Sequence, residues 1–360
     1  FIANPYPSAV DFVAFHLANS SVLEGVAYFW SQASPPLASY PGNSQLNFNP
    51  DDHAVFNVGV GGTDGGGAGV IPNGYVPSAQ GFFIPALNIG TATFTNAMRT
   101  PDNTSNSQFF KGAGSKKSNP NTSNNPLENR LWVDLTSDNG VFNQILIGYV
   151  DNATDDYDGM AYDAPKIVSP GFAAVLYSSI ENDDVKYVIQ GKDINSINEN
   201  EVIKLGFSTT IEVDTEYTFS ISQLQGDFLT ENSIYLNDNL LNIQHNLSDS
   251  DYTFTSDVGE FNSRFEIVFN AQSLSTDDIV TDGNTLKIIE LYDDQVQFII
   301  SNNLTIKSVS IFDLLGRQLY NFEGNTSSET YKLSNLSNTA YIAKVELSNG
   351  AVITKKMIKK

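Results

Sequence analysis

The stretch Ser308-Val309-Ser310-Ile311-Phe312-Asp313-Leu314-Leu315-Gly316-Arg317-Gln318-Leu319 reads as an alternating strand, a glycine-bearing turn and the start of a second strand. Side chains of an extended chain point to opposite faces in turn, so this pattern buries one face of a sheet and wets the other. The alternation returns in Tyr341-Ile342-Ala343-Lys344-Val345-Glu346-Leu347. There Tyr341, Ala343, Val345 and Leu347 share one face, and Ile342, Lys344 and Glu346 share the other. A Ser348-Asn349-Gly350 turn and a lysine-rich strand from Ala351 to Lys360 follow. A cysteine-free module of this size needs two apolar sheet faces packed together, which predicts an immunoglobulin-like sandwich over residues 285–360.

Upstream, strand signals also dominate. Gly25 to Trp30, Arg130 to Leu135, Gln144 to Tyr149, Tyr217 to Ile221 and Arg264 to Phe269 are β-branched or aromatic runs bounded by Asn, Asp, Gly and Ser. The one helix expected runs from Asp11 to Leu17, with Ser8 as its cap and Asp11 in its first turn. The fold class is therefore all-β, in tandem β-sandwich units. Residues 1–100 form a β-rich unit, and Phe1-Ile2-Ala3 reads as the end of a strand whose start is missing. Residues 101–129 form a flexible polar loop, 130–270 a β-sandwich and 271–284 a linker. The division favoured is three β units; the alternative is that the first and second are halves of one larger body. Gly59 to Gly69 holds no Gly-Lys-Ser/Thr ending and precedes no helix pattern, so it reads as a flexible surface loop and not a phosphate cradle.

The charge is uneven. Of 19 basic and 41 acidic residues, 9 basic and 7 acidic fall from Thr285 onward, a net of +2. The preceding 284 residues hold 10 basic and 34 acidic residues, a net of −24. A shift of that size marks a module boundary. So acidic a body repels phosphate backbones and anionic lipid, which argues against nucleic-acid partners. With no cysteine there is no disulfide, thiolate metal site or thiol catalysis. No apolar run approaches the roughly 20 residues of a membrane helix.

The strand order of the last module, its Asp-x-x-Gly-Arg turn and its lysine-rich end resemble the C-terminal sorting domains of type IX secretion cargo in Bacteroidetes. Asp282-Gly283-Asn284 stands where such modules commonly begin with Pro-Asn-Pro, and Ala340 replaces the glycine before the tyrosine of the penultimate strand. Both departures are closer to the type C variant. The resemblance implies a secreted or cell-surface protein, carried across the outer membrane and gripped by a translocon and a shuttle protein. It assigns that grip to Asp313, Gly316, Arg317, Lys355, Lys356, Lys359 and Lys360. Asn4-Pro5-Tyr6-Pro7-Ser8, Gln80-Gly81-Phe82-Phe83, Phe94-Thr95-Asn96-Ala97-Met98-Arg99 and Gly259-Glu260-Phe261-Asn262-Ser263-Arg264-Phe265 resemble segments found just upstream of such domains in large flavobacterial surface proteins. That makes the body adhesin-like.

The densest carboxylate cluster in the body is Asp155-Asp156-Tyr157-Asp158-Gly159, with Asp163 nearby. Closely spaced acids beside a glycine can supply several of the oxygens calcium wants, so Asp155, Asp156 and Asp158 are the candidate ligands; the spacing is not that of an EF-hand. A solvated acidic loop is the competing reading. No other cofactor is suggested. Tyr157 and Tyr162, in the same polar loop, are candidates for stacking on a surface glycan, and Trp30 and Trp132 are further aromatics to follow. A carbohydrate-binding module is thus the alternative function. His16, His53 and His245 are scattered, and neither Gly-x-Ser-x-Gly nor His-Glu-x-x-His occurs, so the sequence offers no enzyme.

Overall fold

A computed structural model describes residues 1–38, 43–49, 51–102, 104–108, 127–168, 173–271, 286–291, 294–300, 304–313, 317–334, 336, 340–350 and 352–359. The chain divides into two compact units, Phe1–Ala271 and Gln272–Lys360. Residues 1–100 and 130–270 thus belong to one body. The expected linker at 271–284 lies, but for Ala271, outside the described residues, as does most of the 101–129 loop.

In the first unit, β1 (Val26–Trp30), β2 (His53–Asn57) and β3 (Gly61–Thr63) form a small antiparallel sheet. The large sheet contains β4 (Asn129–Ser137), β5 (Phe142–Val150), β6 (Ala174–Ser178), β7 (Tyr187–Asp193), β8 (Val202–Thr209), β9 (Glu216–Gln225), β10 (Tyr235–Asp238), β11 (Ile243–Asn246), β12 (Tyr252–Thr255) and β13 (Gly259–Val268). Its order is β11-β10-β13-β8-β6-β7-β5-β4-β9-β12, and the pair Ala164–Pro165 adds to β7. All its pairings among the described residues are antiparallel except β5 with β7, where Ile189 lies opposite Leu146. The sheet bends over its own core. Phe254 of β12, at one end of the order, sits with its ring 4.7 Å from that of Phe265 and 5.3 Å from that of Phe207, on strands near the other end.

The small sheet has no wet face. Val26, Tyr28 and Val55 pack with Trp132, Leu146 and Ile189 on the outside of the large sheet. Ala27, Phe29, Ala54 and Phe56 face the other way, onto Phe12 and Phe15 of the helix α1 (Phe12–Asn19), and onto Val76, Phe82 and Met98. Asp11 caps that helix, accepting from the Ala14 N–H at 3.0 Å. Ser8, expected in that role, instead accepts from Arg99 Nε at 3.0 Å. The two belong to the quoted Asn-Pro-Tyr-Pro-Ser and Phe-Thr-Asn-Ala-Met-Arg segments, and Arg99 also lies 5.1 Å over the Tyr6 ring.

The glycine-rich stretch is not a flexible surface loop. Val60, Thr63 and Asp64 within it are buried. A Cβ on Gly65 would stand 2.3 Å from the Ala54 nitrogen, and one on Gly66, at φ +66°, 2.1 Å from Asp52 Oδ1. Glycine is needed there for close approach, and at Gly66 also for a left-handed backbone.

Arg264 ties the bent sheet shut. It is 4% exposed and Asp238 is 1% exposed. Its Nη2 donates to Asp238 Oδ2 at 2.9 Å and its Nη1 to Ser256 Oγ at 3.1 Å, while Tyr252 Oη donates to Asp238 Oδ2 at 3.1 Å. The guanidinium lies 4.8 Å from the Phe254 ring centre and 4.7 Å from that of Phe265. This satisfies both charges from three strands.

The second unit has its own core. β14 (Leu286–Glu290), β15 (Gln295–Ile300) and β18 (Ser328–Lys332) form one sheet. β17 (Gln318–Glu323), β16 (Ile306–Phe312), β19 (Ala340–Leu347) and β20 (Val352–Ile358) form the other. Two hairpins, a return to the first sheet and a final hairpin in the second give the expected immunoglobulin-like sandwich. Tyr341, Ala343, Val345 and Leu347 all point into the core with Phe298, Val309 and Ile311.

Arg264→Ala leaves the Asp238 carboxylate buried without its counter-charge. Urea denaturation should show the Phe1–Ala271 transition destabilised by about 3–5 kcal/mol.

Candidate functional site

The C-terminal turn is set by one carboxylate. Asp313 accepts the Arg317 N–H at 2.9 Å and Arg317 Nε at 2.6 Å, and its own N–H donates to the Arg317 carbonyl at 3.0 Å. The Arg317 side chain is 75% exposed, so the turn presents a held guanidinium to solvent. Gly316, assigned to the same turn, lies outside the described residues. Beside the turn runs a row across the sheet: Gln318, Phe312, Ile342 and Lys356 are successive cross-strand neighbours. Lys344 stands exposed on the same outer face.

Two of the expected contact lysines do other work. Lys355 points inward, its Nζ donating to the Leu286 carbonyl at 2.7 Å and so pinning β20 to the opposite sheet. Lys359 is 3% exposed and pairs with Asp294 at 2.6 Å, which holds the Asp294 carboxyl below the usual range. Neither is displayed for a receptor. Lys356 is exposed, and Lys360 lies outside the described residues.

The acidic loop of the body does not gather its carboxylates. Asp158 turns to Thr154, accepting from its N–H and its hydroxyl. Asp155 lies 3.4 Å from Lys192, and Asp156 faces solvent. Among the described residues no three His, Asp or Glu side chains are grouped to hold a metal ion. The loop is organised around Asp163, fully buried, which accepts from the Asp158 N–H at 2.8 Å and the Gly191 N–H at 3.0 Å. Burial pushes its pKa up to about 7.

Tyr162 is half-buried and its ring fills the space over Gly59, where a Cβ would stand 2.6 Å away, so it is not available to a glycan. Tyr157 is 48% exposed and leans on Tyr187, with ring centres 6.1 Å apart. Trp132 is core, its indole N–H donating to the Gly62 carbonyl at 2.8 Å. Trp30 instead joins an outer aromatic group. Its ring lies 5.5 Å from Phe48 and 4.9 Å from His53, and His53 lies 6.1 Å from Phe83.

One cluster was missed from sequence. A cavity of about 30 Å³ between the small and large sheets is lined by Asp51, His53, Asp64, Asn143, Gln144 and Lys166, against Tyr28, Val55, Phe142 and Val188. Lys166 Nζ donates to Asn143 Oδ1. Asp64 sits at the boundary with an open cleft of about 400 Å³ that also contains Asp134, Ser222 and Gln223. Gln144 links the two acids, accepting from the Asp64 N–H at 2.8 Å and donating to Asp134 at 2.7 Å. Burial pushes Asp51 up to about 7 and Asp64 up to about 6, raises Asp52 and Asp134, and pulls Lys166 down. The available signal was polarity out of place: Asn143-Gln144 inside an apolar strand, and Lys166, one of few cations in the acidic body, between Pro165 and Ile167.

These buried carboxyls set a pH dependence. Asp51, Asp64 and Asp163 bind protons more tightly folded than unfolded, where the ordinary value is 3.8. Their contribution is complete below about 4 and is lost as pH rises through 6 to 7. Calorimetry should therefore give a Tm for the first unit lower by about 5 °C at pH 8 than at pH 5.

No curated protein matches the chain. Residues 274–359 match the family model described as Domain of unknown function (DUF8694). Residues 1–269 match the model described as Domain of unknown function (DUF8693), and by that match over most of its length the chain belongs to the DUF8693 family.

Proposed function

We propose that this is a secreted or surface-displayed protein of the type IX route, its second unit serving as the sorting module for an outer-membrane translocon and shuttle protein. The observation that carries the reading is the exposed guanidinium of Arg317, held by Asp313 at one end of a separately cored sandwich. Support also comes from the row it adjoins: Phe312, Ile342 and Lys356 offer a receptor an apolar strip flanked by cations. A fixed arginine loses little freedom on binding and meets acidic surfaces with directional bonds. The positions assigned to the grip are now Arg317, Lys356 and Lys344, with Asp313 positioning the first.

The body is then the cargo. A specific observation keeps a carbohydrate-binding reading beside the adhesin-like one: Phe48 is 51% and Phe83 46% exposed, next to Trp30 and His53. Sugar rings stack on such faces. Affinity electrophoresis in polysaccharide gels should show retardation that Phe83→Ala weakens several-fold and Tyr162→Ala does not; unretarded mobility in every gel removes this reading.

For the sorting module, residues 271–360 fused behind a fluorescent protein with a periplasmic export signal should carry it to the surface or medium of a flavobacterium. Arg317→Ala and Lys356→Ala together should cut export at least about tenfold, the loss of roughly 1.4 kcal/mol of recognition. Periplasmic retention of the unaltered fusion, with native cargo still exported, would defeat the proposal.

A further inference from the structure

Three elements deliver one polar group each to the cavity between the sheets. Asn143 stands on β5. Lys166 directly follows the Ala164–Pro165 pair, where its N–H donates to the Lys186 carbonyl at 2.8 Å. Asp51 stands two residues before β2 of the small sheet. The Asn143 side chain is clamped. Its Nδ2 donates to the Ala174 carbonyl at 3.2 Å, and its Oδ1 accepts both the Leu176 N–H, at 3.3 Å, and Lys166 Nζ. Asp51 Oδ1 is buried and has no hydrogen-bond partner. An ordinary buried ion pair would spend the lysine on that oxygen; here the lysine is turned to the amide.

We propose that Lys166 and Asn143 become joined by an intramolecular isopeptide bond, with Asp51 passing the proton between them. The amine Nζ adds to Asn143 Cγ, forming the new C–N bond, and the electron pair of the carbonyl moves to Oδ1. The Leu176 N–H, already on that oxygen, stabilises the developing charge. Collapse of the adduct breaks the Cγ–Nδ2 bond. Asp51 takes a proton from Nζ and gives one to Nδ2, which leaves as ammonia. The products are a secondary amide and ammonia, Asp51 ends as it began, and no oxidant, nucleotide or other reactant is consumed.

The surroundings suit each part. Amide attack needs an uncharged amine, and burial pulls the Lys166 pKa down. Proton relay needs a carboxyl that holds a proton near neutrality, and burial pushes Asp51 up to about 7. Tyr28, Val55, Phe142 and Val188 form the apolar part of the wall, and about 30 Å³ leaves room for little more than one water. Holding amine and amide together in the fold raises their effective concentration by many orders of magnitude, on the order of 10⁵ M in well-oriented intramolecular reactions. The reaction is thus a consequence of folding and needs no second protein.

Intact-mass spectrometry of the purified, folded full chain tests this. The expected mass is the sequence mass less one ammonia, and proteolysis should release a branched peptide joining residues 143 and 166. Lys166→Arg and Asn143→Ala should each restore the sequence mass, as should Asp51→Ala. The unaltered protein decides even if a variant fails to fold. Full sequence mass in that protein overturns the proposal, as does an ammonia loss mapped to any other asparagine. A bond still formed in Asp51→Ala overturns the proton relay.

Discussion

The first unit depends on a sheet with no wet face. Val26, Tyr28 and Val55 on one side, and Ala27, Phe29, Ala54 and Phe56 on the other, are each covered by a different layer. Such a sheet is stable only if something is packed on both faces, so the helix and aromatic segments of residues 1–100 and the large sheet of 130–270 cannot be independent. The cover must also come close. The chain from Gly59 to Gly69 turns back against β2 with no room for side chains at Gly65 and Gly66. Polar groups trapped at this seam have to find partners inside the protein. Asp64 and Gln144 pair with each other, Asn143 with Lys166, and Asp52 with Ser34.

Legibility followed alternation. In the second unit β16 and β19 were readable because each alternates, and Tyr341, Ala343, Val345 and Leu347 were placed on one face residue by residue; β14, β15 and β18 were not read from sequence. The first unit was harder, since Val26 to Trp30 does not alternate. An unbroken apolar run of that length signals a doubly covered strand but does not say by what. The parallel pairing of β5 with β7 and the return of β12 onto β8 rest on contacts distant in sequence. Glycine misled because it permits two opposite things, freedom and close approach, and only neighbours decide which. Lysine misled in the same way: Lys355 and Lys356 are adjacent in sequence, yet the pleat sends one inward and the other to solvent. The acidic loop shows the converse. Its density of carboxylates was visible, but their directions were not, and Asp163 organises a latch on β7 instead of joining a ligand set.

The two units, both without cysteine, are fastened by different means. The second keeps a single core and fastens its last strand with Lys355 on the Leu286 carbonyl and Lys359 on Asp294. These are directional, part-buried polar contacts, with Lys359 itself buried and its partner Asp294 half-exposed. The first closes a far larger sheet with Arg264 and Asp238, whose charges are fully enclosed. A buried pair of that kind adds little over an apolar pair of equal volume, but it specifies which strands come together, because either charge alone in the core is costly.

A covalent tie at Asn143 and Lys166 would fit this pattern as the third fastening. The two residues are 23 apart in sequence, and the chain between them contains the Asp163 latch and the acidic loop. Closing a loop of that length removes unfolded conformations and, by analogy with a disulfide, would stabilise the fold by about 3 kcal/mol. The gain would fall on β5, which pairs with β4 and β7 and carries Leu146 toward the small sheet. Separating β5 from the segment that follows Ala164–Pro165, both in the large sheet, would then require breaking an amide bond, whereas a disulfide in the same place would be open to reduction. For a chain with 41 acidic and 19 basic residues, whose charges repel one another at neutral pH, a fastening that neither salt nor reductant weakens stabilises the fold where ion pairs are weakest.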